Sequence, residues 1–200
     1  MSTNLIILRS DPAIEVLRAE HADISTVSTE ALGSDGMIVL NSGLSWERFY
    51  EDGSPVHLEH RSVRVGRALW VKTKDGKITA KTSYDRAPQA WPTDKPWLGD
   101  TVFDAVCRGH LPGKSVTLLR ESERKPTAEE TKLGATTVID RATVLEYSVC
   151  AAPVNPEAIV EQIERAMKSK EDILATNELE ELAASIELAF KELIAGGSRG

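Results

Sequence analysis

Residues 109–119 read Gly-His-Leu-Pro-Gly-Lys-Ser-Val-Thr-Leu-Leu, and they mark a change from helix to strand. A short helical pattern ends at Gly109, a Pro112-Gly113 turn follows, and Ser115 begins an apolar run with high β propensity. A serine after a turn commonly bonds only to nearby backbone. At such a junction its hydroxyl can also face a cleft from a fixed backbone. Ser115 is therefore a candidate nucleophile, provided that a base lies near it.

Short β patterns occur on both sides of this stretch, and turns separate them. A Ser-Asp-Gly turn at 34–36 and a hairpin around 74–76 are predicted. A helical turn is predicted within 44–50, and a longer helix should follow Asp100 as its N-cap, with an apolar stripe facing the core. The charged segment Glu121–Lys132 is predicted to be a mobile connection. The predicted strands are residues 24–29, 37–40, 56–60, 66–71, 77–82, 115–119, 136–139 and 144–150.

Many short strands with few long helices predict an α+β, mainly β fold with a closed or nearly closed sheet. The last part of the chain differs from this pattern. Residues 156–200 hold ten acidic and five basic side chains, a net charge of −5, which leaves −2 for residues 1–155. Helix starts at Asn155-Pro156 and Asn177 precede apolar residues at helical spacing. We expect a barrel domain over 1–155 and an acidic helical tail over 156–200, which either packs on the barrel or docks a partner helix.

Composition excludes several classes of function. The chain has 200 residues, is 41% hydrophobic and carries a net charge of −7, and we find no basic stripe interleaved with aromatic residues, so a nucleic-acid partner is not expected. Cys107 and Cys150 lack zinc-ligand spacing and are expected to be small buried residues. No apolar run reaches the length of a membrane span, and no secretion signal is apparent. A reducing cytoplasmic compartment is expected.

A serine nucleophile needs a base within hydrogen-bond reach and an acceptor that orients the base. Strand alternation over 56–60 predicts that His60 shares the apolar face with Val56 and Leu58, where a sheltered base would lie. Glu146 lies inside an apolar run, where an unpaired carboxylate would be costly. It could accept a hydrogen bond from His60, or it could form a structural ion pair with Arg141.

Other assignments remain open from the residues alone. His110 is the imidazole nearest to Ser115 in sequence and is the second candidate for the base. Ser148 is a rival hydroxyl, although its place within the strand of Glu146 favours a structural role. His57 and His60 could bind a metal, but no third ligand follows at suitable spacing, so no metal is expected. His21 belongs to no pattern.

Several segments resemble the tailed-phage prohead proteases, capsid maturation enzymes that are distantly similar to the herpesvirus assemblins. The resemblance covers about residues 24–160 and is most specific in the last segment. The segments are Val27-Ser28-Thr29-Glu30-Ala31-Leu32, Leu58-Glu59-His60-Arg61 with Val65-Gly66-Arg67-Ala68, Leu111-Pro112-Gly113-Lys114-Ser115-Val116, and residues 145–158, which read LEYSVCAAPVNPEA.

The resemblance implies a serine endopeptidase on an assemblin-like, largely antiparallel β-barrel flanked by helices. It implies His60 as the base, Ser115 as the nucleophile and Glu146 as the third member, with spacings of 115 − 60 = 55 and 146 − 115 = 31 residues. Many relatives have glycine two residues after the serine, where this chain has Thr117. Backbone N–H groups near Ser115, with Arg141 as a further candidate, would stabilise the oxyanion.

The resemblance also implies the biological setting. The substrates would be the capsid protein's N-terminal scaffolding segment or a separate scaffold protein, together with the protease itself, inside the assembling prohead in the bacterial cytoplasm. Self-association is possible, and neither a cofactor nor a membrane is expected. The alternative is a non-catalytic assembly module on the same barrel, which would use the acidic tail to dock capsid or scaffold protein.

Overall fold

The computed structural model describes residues 18–156, 158 and 183–191. Strands dominate this part of the chain, as the β-branched runs predict. The strands are β1 Ala22–Ser28, β2 Met37–Val39, β3 Leu44–Ser45, β4 Pro55–Leu58, β5 Arg64–Lys74, β6 Lys77–Tyr84, β7 Gly113–Arg124 and β8 Thr137–Cys150. The helices are a 3₁₀ turn at Asn41–Gly43, α1 Glu47–Glu51, α2 Leu98–Cys107, α3 Ala128–Lys132 and α4 over residues 183–191.

All eight strands belong to one curled sheet that forms a half-barrel. The order along the main path is β1-β6-β5-β4-β8, and β7 pairs with the other edge of β8. The β1–β6, β5–β6, β4–β5 and β7–β8 pairings are antiparallel. The prediction of a mainly β, α+β fold is confirmed, and bulges in these pairings provide local bends in the strands.

Strand β8 is the central strand of the sheet and pairs with β2, β3, β4 and β7. Its 14 residues pair along one edge with β7. The opposite edge pairs in parallel with three short strands in turn, namely β2, β3 and β4. At about 3.3 Å per residue, such a strand is long enough to hold all three. The two strands predicted at 136–139 and 144–150 are therefore parts of one strand.

The ends of the curled sheet meet through a buried ion pair between β7 and β1. The Lys114 ammonium is fully buried and lies 2.8 Å from the Asp23 carboxylate. It also lies 3.0 Å from the Tyr84 hydroxyl and 3.3 Å from that of Thr82. A buried charge needs such partners, because an unpaired one would carry its full desolvation cost. Within residues 18–156 no backbone pairing joins β1 to β7, so this network joins the two strands from the inside.

The core lies inside the curl and is closed by helices. The predicted stripe of α2 is confirmed, since Val102, Phe103 and Val106 are buried. Helix α4 also reaches the core, where Ala189 is 2% exposed and Ile186 and Phe190 pack beside it. The helix predicted from Asn155-Pro156, and most of the second tail helix, fall outside the described residues.

Two local predictions are wrong for identifiable reasons. Trp97, not Asp100, is the N-cap of α2, and the Asp100 carboxylate instead accepts from the backbone of Ala87 and contacts the His21 ring. The supposed mobile connection at 121–132 is the end of β7 followed by α3. A capping box formed by Thr127 and Glu130 starts that helix.

The predicted turn at 34–36 and the hairpin at 74–76 are both confirmed. In the hairpin, Asp75 and Gly76 have φ values of 50° and 71°, which two-residue turns of this kind require. Both cysteines are free thiols, and burial raises the pKa of Cys107 to about 11 and that of Cys150 to about 12. Among the described residues, no helix is long and apolar enough to cross a membrane.

Candidate active site

One face of the sheet carries polar side chains from three neighbouring strands. Ser115 of β7 lies opposite Ser148 of β8, and Thr117 lies opposite Glu146. On the other edge of β8, His57 of β4 lies beside Ser148. Since directly opposite residues of paired strands project to the same face, these five side chains share one surface. The register of β8 therefore brings Ser115 and Glu146 to the same site.

His60 reaches this face because the chain reverses after β4. The strand ends at Leu58, and Glu59 and His60 have φ values of 49° and 54°, in the left-handed region. Such a conformation costs about 1–2 kcal/mol per residue outside glycine. Three hydrogen bonds to β8 and its end hold it: Glu59 N to Val149 O at 3.0 Å, His60 N to Ser148 Oγ at 2.9 Å, and Ala151 N to the Glu59 carboxylate at 2.8 Å.

This reversal contradicts the predicted position of His60. Val56 and Leu58 are buried as expected, but His60 does not continue their alternation, because the strand has already ended. Its side chain is 39% exposed and lies on the polar face with His57. The base candidate is therefore solvent-accessible rather than sheltered in the apolar core.

The imidazole of His60 and the carboxylate of Glu146 form the centre of the site. His60 Nδ1 lies 2.8 Å from Glu146 Oε1 and 2.9 Å from the Thr117 hydroxyl. Thr117 donates its proton to the same Glu146 oxygen. Ser148 Oγ donates to the other carboxylate oxygen at 2.9 Å, and His57 Nδ1 lies 3.6 Å from that oxygen. Glu146, whose side chain is 10% exposed, is thus surrounded by donors.

These contacts shift the pKa values of both members of the pair. Burial raises the pKa of the Glu146 carboxyl, but the hydrogen bonds from His60, Thr117 and Ser148 outweigh it and leave the pKa below its usual value. The hydrogen bond to Glu146 raises the pKa of His60, with burial acting in the opposite direction. The carboxylate is therefore ionised and the imidazole is a stronger base than an isolated histidine.

Ser115 is 8% exposed and lies two residues before Thr117 on β7, about 6.6 Å along the strand. Within the described part of the chain its hydroxyl forms no hydrogen bond, and none joins it to His60. Catalytic hydrogen bonds are often long before substrate binds. The structure thus brings His60 and Glu146 into contact and puts Ser115 on the same face.

A groove of about 190 Å³ runs beside Ser115 between β7 and the end of β1. Val116 and Leu118 of β7 line one wall, and Val27 and Met37 contribute to the other. The β7 edge that faces this groove is not the edge that pairs with β8. Near its start, Lys114 N already donates to Ala158 O at 2.7 Å. Ser115 thus borders a pocket that neither His60 nor Glu146 lines.

The geometry distinguishes Ser115 from the alternative hydroxyl, Ser148, and His60 from the alternative partner of Glu146, Arg141. Ser148 is fully buried, and its hydroxyl accepts from His60 N while donating to Glu146, so it has a structural role. Arg141 is exposed and pairs with Ser122, seven residues beyond Ser115 on β7. The predictions of an ion pair between Arg141 and Glu146, and of Arg141 as an oxyanion donor, are therefore wrong.

The other histidines have different positions. The imidazoles beside Glu146 are those of His60 and His57. His110 follows α2, and its backbone N–H donates to Ala105 O at 2.9 Å. His21 is buried between Tyr84 O and the Asp100 carboxylate. Within residues 18–156 and 183–191, no three potential ligands are grouped as a metal would need.

Sequence reasoning missed two participants. Lys114 stands next to Ser115 and, by strand alternation, points to the opposite face, but its buried partner Asp23 is 91 residues away and no local pattern indicates the pair. The sequence marks Thr117 only as the residue that replaces the glycine of many relatives. Its position two residues after Ser115 is the signal that its hydroxyl shares the face of Ser115.

Comparison with models of known protein families gives no match, and comparison with curated proteins gives none either.

Proposed function

We propose that the chain is a serine endopeptidase in which Ser115 is the nucleophile, His60 the general base and Glu146 the group that orients the base. The observation that carries this proposal is the hydrogen bond between His60 Nδ1 and Glu146 on the sheet face that also bears Ser115. An imidazole whose Nδ1 is held by a carboxylate offers Nε2 as the base, which is the arrangement that activates a serine. The half-barrel sheet is compatible with an assemblin-like barrel.

In the proposed reaction, the Ser115 hydroxyl attacks the scissile carbonyl carbon while His60 Nε2 accepts the hydroxyl proton. Glu146 stabilises the imidazolium that forms. The tetrahedral intermediate expels the amine, which takes the proton from His60, and water then repeats the sequence to release the acid. Backbone N–H groups along β7 after Ser115 would stabilise the oxyanion. The N–H of Lys114, which precedes Ser115, already donates to Ala158 O.

The resemblance to the prohead proteases supplies the proposed substrates. These are the scaffolding segment of the capsid protein, or a separate scaffold protein, and the chain itself, within the assembling prohead in the bacterial cytoplasm. The groove beside Ser115 is the proposed site for an extended substrate segment, since Ser115 lines it together with the apolar side chains of Val27, Val116 and Leu118. The mechanism uses no metal or cofactor.

A fluorophosphonate probe tests this function without knowledge of the cleavage motif. Such a probe loses fluoride when an activated serine oxygen attacks its phosphorus atom. We expect the wild-type chain to gain one adduct mass, mapped to Ser115 by peptide mass spectrometry, and His60→Gln to react at least about 100-fold more slowly. No adduct, or an adduct at another residue, would contradict the proposal and favour the non-catalytic assembly module.

The pH dependence of this labelling follows from the contacts of His60. Only the neutral imidazole can accept the Ser115 proton, so the rate should rise with pH through the pKa of His60. Because the hydrogen bond to Glu146 raises that pKa, we expect the midpoint above the ordinary value of 6.5. Glu146→Gln removes the raising group, so the midpoint should move to lower pH while the plateau rate falls. A midpoint that stays in place or moves upward in this variant would disagree with the pairing.

A further inference from the structure

Thr117 occupies a position in the site that the triad alone does not explain. It lies opposite Glu146 in the β7–β8 register, and its hydroxyl touches both the base and the carboxylate. Its oxygen lies 2.9 Å from His60 Nδ1, close to the 2.8 Å that separates Nδ1 from Glu146 Oε1. The Nδ1 side of the ring thus faces two oxygen atoms at once.

The single proton of the Thr117 hydroxyl determines what this contact can do. That proton is donated to Glu146 Oε1, so toward His60 the oxygen can only accept. The carboxylate is also only an acceptor. Both contacts of Nδ1 are therefore satisfied only when Nδ1 carries a hydrogen, which leaves Nε2 of the neutral ring without one. Without these two contacts, the His60 ring would be free to rotate or to change tautomer, since its side chain is 39% exposed and follows a backbone reversal.

We propose that Thr117 is a positioning residue that holds His60 in the Nδ1-protonated tautomer and fixes Glu146 against it. This inference rests on the proposed function, in which His60 Nε2 accepts the proton of Ser115. Thr117 touches no reacting atom in that scheme. It acts through His60 and Glu146, so its loss should slow the chemical step without weakening the binding of a probe.

The test compares Thr117→Val, which keeps the branched shape, with Thr117→Ser, which keeps the hydroxyl. Histidine ring ¹⁵N NMR of the full chain reports the tautomer, and loss of a signal in His60→Gln assigns it. We expect a single Nδ1-protonated form in the wild type and in Thr117→Ser, and a mixture of tautomers in Thr117→Val. Thr143→Val is the control. It removes a hydroxyl of β8 that lies away from the site and donates to exposed Glu121, so it should leave the His60 signal unchanged.

Fluorophosphonate labelling gives the second measurement. Loss of one hydrogen bond should lower the maximal labelling rate of Thr117→Val about tenfold, with the half-saturating probe concentration unchanged and the Thr117→Ser rate near that of the wild type. Thr117→Ala repeats the deletion without the extra methyl group, in case the valine does not fit. A single wild-type tautomer in both deletion variants, or failure of serine to restore the rate, would overturn the inference.

The two readouts separate this inference from the protease itself. If the wild type does not react with the probe but the tautomer depends on Thr117 as described, the proposed function fails while the positioning role stands. If the wild type reacts at Ser115 but the tautomer is insensitive to Thr117, the protease stands and the positioning role is wrong.

Discussion

In the proposed protease, replacement of Ser115 by alanine should lower the rate of peptide-bond cleavage by a factor of about 10⁴–10⁶, since loss of the nucleophile of a serine protease removes most of its rate enhancement. The physical reason is local. His60 and the ionised carboxylate of Glu146 are in contact. In the proposed mechanism His60 only accepts and returns the hydroxyl proton, and Glu146 only stabilises the charged imidazole. Alanine removes that hydroxyl and leaves the pair in place.

The measurement is cleavage of peptides that tile the N-terminal segment of the proposed substrate, the capsid protein, followed by mass spectrometry. Ser122→Ala is the matched control, because it removes a hydroxyl from the same strand seven residues beyond Ser115. It should cleave at the wild-type rate. Equal cleavage by Ser115→Ala and the wild type would show that the nucleophile is another residue or that the activity comes from a contaminant.

Replacement of Lys114 by alanine should lower the free energy of unfolding by about 3–5 kcal/mol, the usual cost of removing one partner from a buried ion pair. Lys114 is completely buried, and Asp23 is 1% exposed. Without the ammonium, the Asp23 carboxylate would remain inside the half-barrel, where the donors among the described residues are the hydroxyls of Ser25 and Tyr84. The contact between β1 and β7 would lose its central interaction.

Urea unfolding followed by circular dichroism measures this effect. Lys74→Ala, at a side chain that is 88% exposed, is the control and should change the unfolding free energy by less than about 0.5 kcal/mol. The double variant Lys114→Ala with Asp23→Ala should be less unstable than the sum of the two single variants, because it leaves no buried charge unpaired. A loss below about 1 kcal/mol in Lys114→Ala would show that the pair contributes little beyond its desolvation cost.

Local patterns were sufficient for most strands and turns, because each depends on neighbouring residues. The hairpin at 74–76 and the apolar stripe of α2 are examples. Longer-range pairing was not predictable. Asp140 and Arg141 interrupt the apolar pattern of β8 and suggest a break, yet the strand continues through them because β7 pairs with β8 on both sides of them, from Val138 to Cys150. The end of β7 and helix α3 were not predicted either, because both segments are highly charged and resemble a connecting loop in sequence.

His60, Ser115 and Glu146 were candidates from the sequence, but Thr117 and the geometry of the site were not predicted. Glu146 was identified because a carboxylate in an apolar strand needs a partner, and the structure gives it His60. The side of the sheet on which His60 lies could not be inferred, since strand alternation stops at Leu58. The left-handed backbone that follows depends on Ser148, a residue 88 positions away, and no sequence pattern near His60 indicates it.

The most direct test of the central claim is co-expression of the full chain with its proposed substrate, the phage capsid protein, followed by intact-mass spectrometry of that substrate. The wild type should yield a capsid protein shortened at its N-terminus, and Ser115→Ala should yield the full-length form. The new termini would define the cleavage motif. Shortening with both chains, or with neither, would contradict the account of Ser115 as the nucleophile of a capsid-processing protease.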